Sequence, residues 1–274
     1  MASPSPLDHA EHRLTVIASL SVDNTWSQIL RNKVPEVTIL FWVAKILSTT
    51  TGETAGNFLT RSLGLGLSAS TAIMSLLLAT VLIWQFTTRR YVPGVYWLTV
   101  ILVSAVGTLL CEDLVDSFGG SLWIATAVFS AALALALFCW YRSEHTLSVH
   151  TVVTRRREAF YWFAILCTFS LGTAVGGLFS QKLSLGHPAA VLVLGGVVVL
   201  ITVAFLGLRV NAVSAFWAAY VMTRPLGGSI GDLLAANPRD GGLGLGTSGT
   251  SLLFLALLVT VVGLFAVRAR TRVK

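Results

Sequence analysis

Eight hydrophobic segments follow a polar N-terminal stretch, and each is close to the roughly 20 residues that a helix needs to cross a bilayer. The pattern predicts membrane-spanning helices at 36–59, 67–88, 94–116, 121–141, 159–180, 188–208, 212–235 and 250–268. The even-numbered segments consist mostly of Leu, Val, Ala and Ile, whereas the odd-numbered ones also carry polar residues. We therefore expect an all-α integral membrane protein whose odd-numbered helices lie inside, with the even-numbered helices facing lipid or packing around them.

The odd-numbered segments, which we call the motif helices, repeat one pattern four times. In each, an aromatic residue precedes a Trp, a key Gly follows ten residues after the Trp, and a small residue follows four positions later. The residues are Trp42, Trp97, Trp162 and Trp217; the key glycines Gly52, Gly107, Gly172 and Gly227; and the small residues Gly56, Cys111, Gly176 and Gly231. Matches at fixed offsets predict four two-helix units, at about 34–88, 89–141, 154–208 and 209–268.

The repeat also predicts how the helices are arranged. Because every unit crosses the membrane out and back, the four motif helices run in the same direction around an axis along the membrane normal. Small residues spaced four apart let helix backbones approach closely in lipid, so the glycines are expected to pack helices together. The four Trp residues lie near the helix starts, where we expect them to anchor the cytoplasmic interface as an aromatic belt.

Composition and charge support a membrane protein. Of the 274 residues, 55% are hydrophobic and 11% are charged, and the mean hydropathy is +0.79, whereas a soluble domain carries about 25% charged residues. Of the 19 Lys and Arg residues, 14 lie on one predicted side, 3 on the other and 2 inside motif helices. The positive-inside rule therefore explains the net charge of +7 and predicts two cytoplasmic ends: an arm at 1–33, with a short helix near 25–30, and a tail at 269–274.

Polar residues on the motif helices share faces because they are spaced four apart. The faces comprise Lys45, Thr49, Glu53 and Asn57 on the first motif helix, Ser104, Thr108 and Glu112 on the second, Thr173 and Gly177 on the third, and Arg224, Gly228 and Asp232 on the fourth. The three acids lie in the middle to outer half of a membrane about 30 Å thick. Charges at that depth are costly and usually face a polar cavity or one another. The repeat therefore predicts a polar site on its axis.

The four-copy motif resembles a known repeat. Together with VPEVT at 34–38 and RREAFYW at 156–162, it is similar to a bacterial family of membrane proteins built from four tandem copies of a repeat of unknown function. Each copy in that family has two transmembrane segments and a characteristic Trp, which the resemblance places at Trp42, Trp97, Trp162 and Trp217. The resemblance covers about residues 34–268 and implies the architecture, but no activity.

The first functional hypothesis is a transporter or channel for a small ion. Its candidate ligands are the oxygen groups of the polar faces: Glu53, Glu112, Asp232, Asn57, Thr108 and Thr173. The motif helices contain no His, and oxygen ligands suit Mg or Mn better than Zn or Cu, so the three acids form a candidate metal site. These acids would contact the ion or a coupled proton, while Lys45 and Arg224 would set their charge state. Because two cations would repel a metal ion, a small organic anion or another solute is the alternative substrate.

Two other classes follow from the same residues. In a membrane scaffold or signalling protein, the polar residues would form closed ion pairs, Lys45 with Asp232 and Arg224 with Glu53. An intramembrane enzyme is disfavoured because HExxH and GxxxxGK[ST] do not occur in the sequence. The three cysteines form no CxxC pair, so we expect no soft-metal site, and we expect no cofactor and no nucleic-acid partner. The expected partners are the lipid bilayer of a bacterial inner membrane, a small ion or solute and, in a homo-oligomer, further copies of the chain.

Overall fold

The computed structural model describes residues 32–182 and 186–271, so the short helix predicted near 25–30 lies outside the described residues. The described chain folds into eight α-helices: α1 Ile39–Asn57, α2 Leu67–Thr87, α3 Pro93–Ser117, α4 Leu122–Glu144, α5 Arg155–Lys182, α6 His187–Gly207, α7 Ala212–Ala235 and α8 Gly246–Thr271. A π-helical turn follows α1 at Phe58–Ser62, and short 3-10 turns occupy Val149–Thr151 and Pro238–Asp240. Each predicted segment coincides with one helix, but α5 begins four residues earlier than predicted because the Thr154 hydroxyl accepts the Arg157 backbone N–H at 3.2 Å.

Six of these helices, α2 to α6 and α8, are long and apolar enough to cross a membrane. The chain is therefore a multi-pass membrane protein whose apolar helices contact lipid. The other two predicted spans, α1 and α7, are less apolar. They carry charged residues in their interiors, Lys45 and Glu53 on α1 and Arg224 and Asp232 on α7, together with several Ser, Thr and Gly residues.

The motif helices α1, α3, α5 and α7 form a closed ring. Each packs against the next, and α7 packs against α1. The four remaining helices, which we call the outer helices, pack mainly against the motif helix of the following unit: α2 on α3, α4 on α5, α6 on α7 and α8 on α1. Side chains of the outer helices such as Leu76 and Leu192 are largely exposed, as expected of surfaces that face lipid.

The key glycines are the points where neighbouring motif helices touch. A Cβ atom added to each would lie 2.5–3.1 Å from a side chain located three positions before the key glycine of the next helix. The pairs are Gly52 with Ser104, Gly107 with Phe169, Gly172 with Arg224 and Gly227 with Thr49. The offset of three residues is the same at all four contacts, and the fourth contact returns to the first helix. No helix is therefore shifted along the axis relative to the next, and equivalent positions of the four helices lie at the same level.

The N-terminal ends of the motif helices are covered by two further segments, 32–38 and 145–154. The Lys33 backbone N–H donates to Val152 O at 3.2 Å and joins the two segments. Val34 and Val152 are buried in the same hydrophobic cluster as Phe41 and Tyr96, which lie near the N-terminal ends of α1 and α3. This end of the helix ring is therefore closed by packed apolar side chains.

Candidate functional site

We number the residues of each motif helix relative to its own key glycine, so that the same number marks the same level in all four helices. Position −3 comprises Thr49, Ser104, Phe169 and Arg224; position +1 comprises Glu53, Thr108, Thr173 and Gly228; and position +5 comprises Asn57, Glu112, Gly177 and Asp232. Side chains at one position come from all four motif helices and lie at one level, which makes the ring interior a stack of four-membered layers.

The guanidinium of Arg224 connects all four motif helices. Its Nη1 donates to Glu53 Oε2 at 3.0 Å, while its Nη2 donates to Thr108 Oγ1 at 2.6 Å and to Thr173 Oγ1 at 3.1 Å. Arg224 is only 2% exposed. Its pairing with Glu53 is the ion pair predicted for a closed bundle. We call these four residues the Arg224 centre.

Two glycines make room for the arginine. The Arg224 side chain starts at position −3 against Gly172, where a Cβ would lie 2.5 Å from Arg224 Cγ. It then extends outward to position +1, where Gly228 is the one residue of the layer without a side chain. A Cβ at Gly228 would lie 3.4 Å from Arg224 Nη1 and 3.5 Å from Glu53 Oε2, so a longer side chain would compete with the ion pair for the same space.

Lys45 lies closer to the N-terminal ends of the motif helices and is 1% exposed. Its Nζ donates to Tyr220 O at 2.7 Å and to Thr223 Oγ1 at 2.8 Å, and lies 3.9 Å from the centroid of the Tyr220 ring. The predicted pair between Lys45 and Asp232 is not formed, because these partners precede Asp232 by nine to twelve residues, about 13–18 Å along α7. Pro225, which removes one hydrogen bond from the interior of α7, lies five residues after Tyr220.

Exposure of the polar faces increases toward the C-terminal ends of the motif helices. Thr49 and Ser104 at position −3 are fully buried. At position +1 the Glu53 side chain is 28% exposed, and at position +5 Glu112 is half-buried and Asp232 is exposed. The Arg224 centre therefore lies at the boundary between a buried part of the axis and an exposed polar end.

The three acids of the predicted metal site are not brought together. Within 32–182 and 186–271, no group of three or more His, Cys, Asp and Glu side chains is placed so that it could hold a metal ion. Glu53 faces Arg224 at position +1, whereas Glu112 and Asp232 lie one helical turn further out at position +5. Two of the predicted neutral oxygen donors, Thr108 and Thr173, bind the guanidinium instead, while Asn57 is half-buried at position +5.

The four Trp residues, predicted to anchor the cytoplasmic interface, lie mostly inside the protein. Trp97, Trp162 and Trp217 are buried, and Trp42 is half-buried. They pack instead with other aromatic residues at the closed end, because segments 32–38 and 145–154 cover it. The Trp97 indole N–H donates to the Tyr91 hydroxyl at 3.1 Å and the Trp217 indole N–H donates to Leu147 O at 3.2 Å. Burial raises the pKa of Tyr91, so its phenol stays neutral.

A second buried charge cluster was not predicted. Lys33 Nζ lies 2.6 Å from Glu158 Oε2, and Gln85 Nε2 donates to Glu158 Oε1 at 3.1 Å. Glu158 and Gln85 are fully buried and Lys33 is 6% exposed. By charge alone, Lys33 is one of the Lys and Arg residues that orient the chain. The available signals were a single acid directly after the basic run in the first turn of α5 and a glutamine near the end of the apolar helix α2.

Comparison with known proteins gives a family but no activity. A family profile described as Repeat of Unknown Function (DUF347) matches the chain three times, at residues 40–91, 95–146 and 215–271. These matches cover more than half of the sequence and correspond to the first, second and fourth predicted units. No curated protein and no solved structure matches the chain.

Proposed function

We propose that this chain, which belongs to the family of the repeat of unknown function, is a transporter that moves a small anionic solute along the axis of its motif helices. The observation that carries the proposal is the Arg224 centre. A buried guanidinium is held by side chains of three other helices where the exposed end of the axis meets its buried part. A fixed guanidinium is a preorganised donor for carboxylate and phosphate groups. Glu53 would be the group that the solute displaces.

The balance of charges supports an anion over the divalent cation suggested by the sequence. Lys45 and Arg224 are both nearly fully buried, and Glu53 is bound to one of them. Two buried positive charges repel a divalent cation strongly in a medium of low dielectric constant and attract an anion. Glu112 and Asp232 lie nearer the exposed end, where water screens their charges more effectively.

The finer architecture belongs to the same proposal. The less apolar helices α1 and α7 would also cross the membrane, because the ring surrounds their charged residues with other motif helices. The regular offset of the glycine contacts supports a fourth copy of the repeat at 154–208, which the family profile does not match. The four units would run parallel about an axis along the membrane normal, with both termini on the cytoplasmic side of a bacterial inner membrane.

The closed and exposed ends of the axis support a transport cycle. With both termini in the cytoplasm, the closed aromatic end faces inward and the polar end faces outward. The structure would then correspond to a state in which a solute reaches Arg224 from outside but cannot pass Lys45 and the aromatic side chains below it. Alternating access requires a second state in which the inner end opens.

A ligand panel tests which class of solute binds. The melting temperature of detergent-purified protein is recorded with halides, small carboxylates, Mg, Mn and Ca, because a ligand of the folded state raises it in a saturable way. We expect a rise with a small anion that is lost in Arg224→Met and kept in Arg239→Met, a matched change in an exposed loop. A rise with Mn or Mg that disappears in Glu112→Gln would contradict the proposal and support cation transport. No rise with any ligand would support a closed scaffold.

A further inference from the structure

Two buried lysines of this chain differ in one respect. Lys33 is 6% exposed and its ammonium lies 2.6 Å from the Glu158 carboxylate. Lys45 is 1% exposed, and among the described residues no carboxylate lies within 4.0 Å of its ammonium. The hydrogen-bond partners of Lys45 are the neutral oxygens Tyr220 O and Thr223 Oγ1. One buried lysine is therefore compensated by an acid, and the other is not.

The uncompensated charge lies next to a second buried cation. Thr223, which accepts a hydrogen bond from Lys45, directly precedes Arg224 in the chain. The Arg224 Nε atom is buried and has no hydrogen-bond partner in residues 32–182 and 186–271, although the other two nitrogens of its guanidinium are bonded. Glu53 balances one of the two positive charges. This leaves one buried positive charge without a counter-ion and one buried N–H donor without an acceptor.

Burying an ion without a counter-charge is costly, so such groups are normally paired. A bound anion would supply the missing charge and an acceptor for the free N–H donor. Thr49 and Ser104, at the level where the Arg224 side chain begins, are fully buried, and the centroid of the Phe169 ring is 5.1 Å from Lys45 Nζ. These compact surroundings suit a small ion rather than an extended one.

We infer that one small monovalent anion, of the size of a halide or formate, binds between the Lys45 ammonium and the Arg224 Nε atom. The inference deepens the proposed function and rests on it for the route, since an anion released from the outer side of Arg224 would next meet Lys45. Lys45 is then the inner binding group of the path, and its charge is compensated whenever the site is filled. Binding at this site can be measured without any transport assay.

The test is a titration of the melting temperature at constant ionic strength, in which gluconate, a large anion, is replaced by chloride, bromide or formate. For the intact protein we expect a saturable rise of about 2–4 °C. In Lys45→Met the anion-dependent rise should be smaller than in the intact protein, because only the outer site at the Arg224 centre is left. In gluconate the variant should melt at the same temperature as the intact protein or above it, because an uncompensated charge has been removed. Lys33→Met is the matched control, which should melt earlier in every anion and keep the anion-dependent rise.

The competing role for Lys45 is structural, since its ammonium binds the Tyr220 carbonyl close to Pro225 in α7. In that case Lys45→Met would melt earlier by the same amount in every anion, and the anion-dependent rise of the intact protein would be absent or would keep its full size in the variant. Either result overturns the inference. If Lys45→Met does not fold, crystals of the intact protein grown in bromide decide the question, because the anomalous signal must show bromide beside Lys45 Nζ and its absence there refutes the site.

The two proposals fail separately. Anion uptake into vesicles, together with an anion-dependent rise that is the same with and without Lys45, would support the transporter and refute the inner site. A Lys45-dependent anion effect without uptake would leave the site and remove the transporter.

Discussion

Replacing Gly52 by Ala is expected to destabilise the protein, although alanine is the better helix former. A Cβ at residue 52 would lie 2.5 Å from Ser104 Cβ and would overlap the carbonyl oxygen of Ile101. Neither atom can rotate away, because one belongs to the backbone and the other is the first atom of its side chain. Helices α1 and α3 would have to separate, which would also strain the hydrogen bond of 2.9 Å from Ser104 Oγ to Thr49 O.

The size of the effect follows from two opposing terms. Alanine gains about 0.5–1 kcal/mol over glycine within a helix, and an additional methyl group in a packed interface costs about 1–3 kcal/mol. Because the overlap involves the backbone, we expect the upper part of that cost and a net loss of about 1–2.5 kcal/mol. For a chain of this size the melting temperature would fall by roughly 2–10 °C.

Gly196→Ala on the outer helix α6 is the matched control. Among the residues that the structure describes, no atom lies within 4 Å of a Cβ at residue 196, so only the greater helix-forming tendency of alanine remains. We expect this variant to melt at the same temperature as the intact protein or slightly above it, in the same detergent and by the same fluorescence assay. If both variants melt alike, or if Gly52→Ala is as stable as the intact protein, the close approach of α1 and α3 at Gly52 is refuted.

Two further predictions concern the buried polar contacts. Lys33→Met should lower the stability by about 3–5 kcal/mol, because it leaves the Glu158 carboxylate buried without its cation; a melting temperature within 2 °C of the intact protein would show that this pair contributes little. Thr108→Val should cost about 1.5–3 kcal/mol and weaken anion binding, since its hydroxyl fixes the Arg224 guanidinium at 2.6 Å. Thr108→Ser should restore both properties, and a serine variant as weak as valine would contradict this role.

Fixed spacing made much of the helix ring predictable. Because Glu53, Thr108 and Thr173 all directly follow a key glycine, any arrangement that uses the glycines equally places them at one level. The closure of the ring and the position of the outer helices follow from the same periodicity. The hydropathy pattern also located every helix, and its largest errors are four residues, at the starts of α5 and α8. At α5 a capping threonine extends the helix beyond its apolar segment.

Other features depend on how far a side chain extends and which residue it meets, and the spacing of residues along the sequence does not show either. Arg224 belongs to position −3 by its place in the chain, yet its guanidinium acts at position +1 because Gly228 leaves that corner empty. The Lys33–Glu158 pair joins residues 125 positions apart, and counting Lys and Arg residues treats Lys33 only as an orientation signal. The Trp217 indole donates to Leu147 O of segment 145–154, which covers the closed end and carries no repeat.

Uptake of a labelled small anion into proteoliposomes tests the central claim most directly. The anion that raises the melting temperature would be supplied outside vesicles that contain the intact protein, Arg224→Met or Arg239→Met. The account predicts saturable uptake by the intact protein and by the Arg239 variant, and none above protein-free vesicles for the Arg224 variant, provided that it folds and inserts equally well. Uptake that survives the loss of Arg224 would contradict the account, because the solute would then cross without the group that is proposed to bind it.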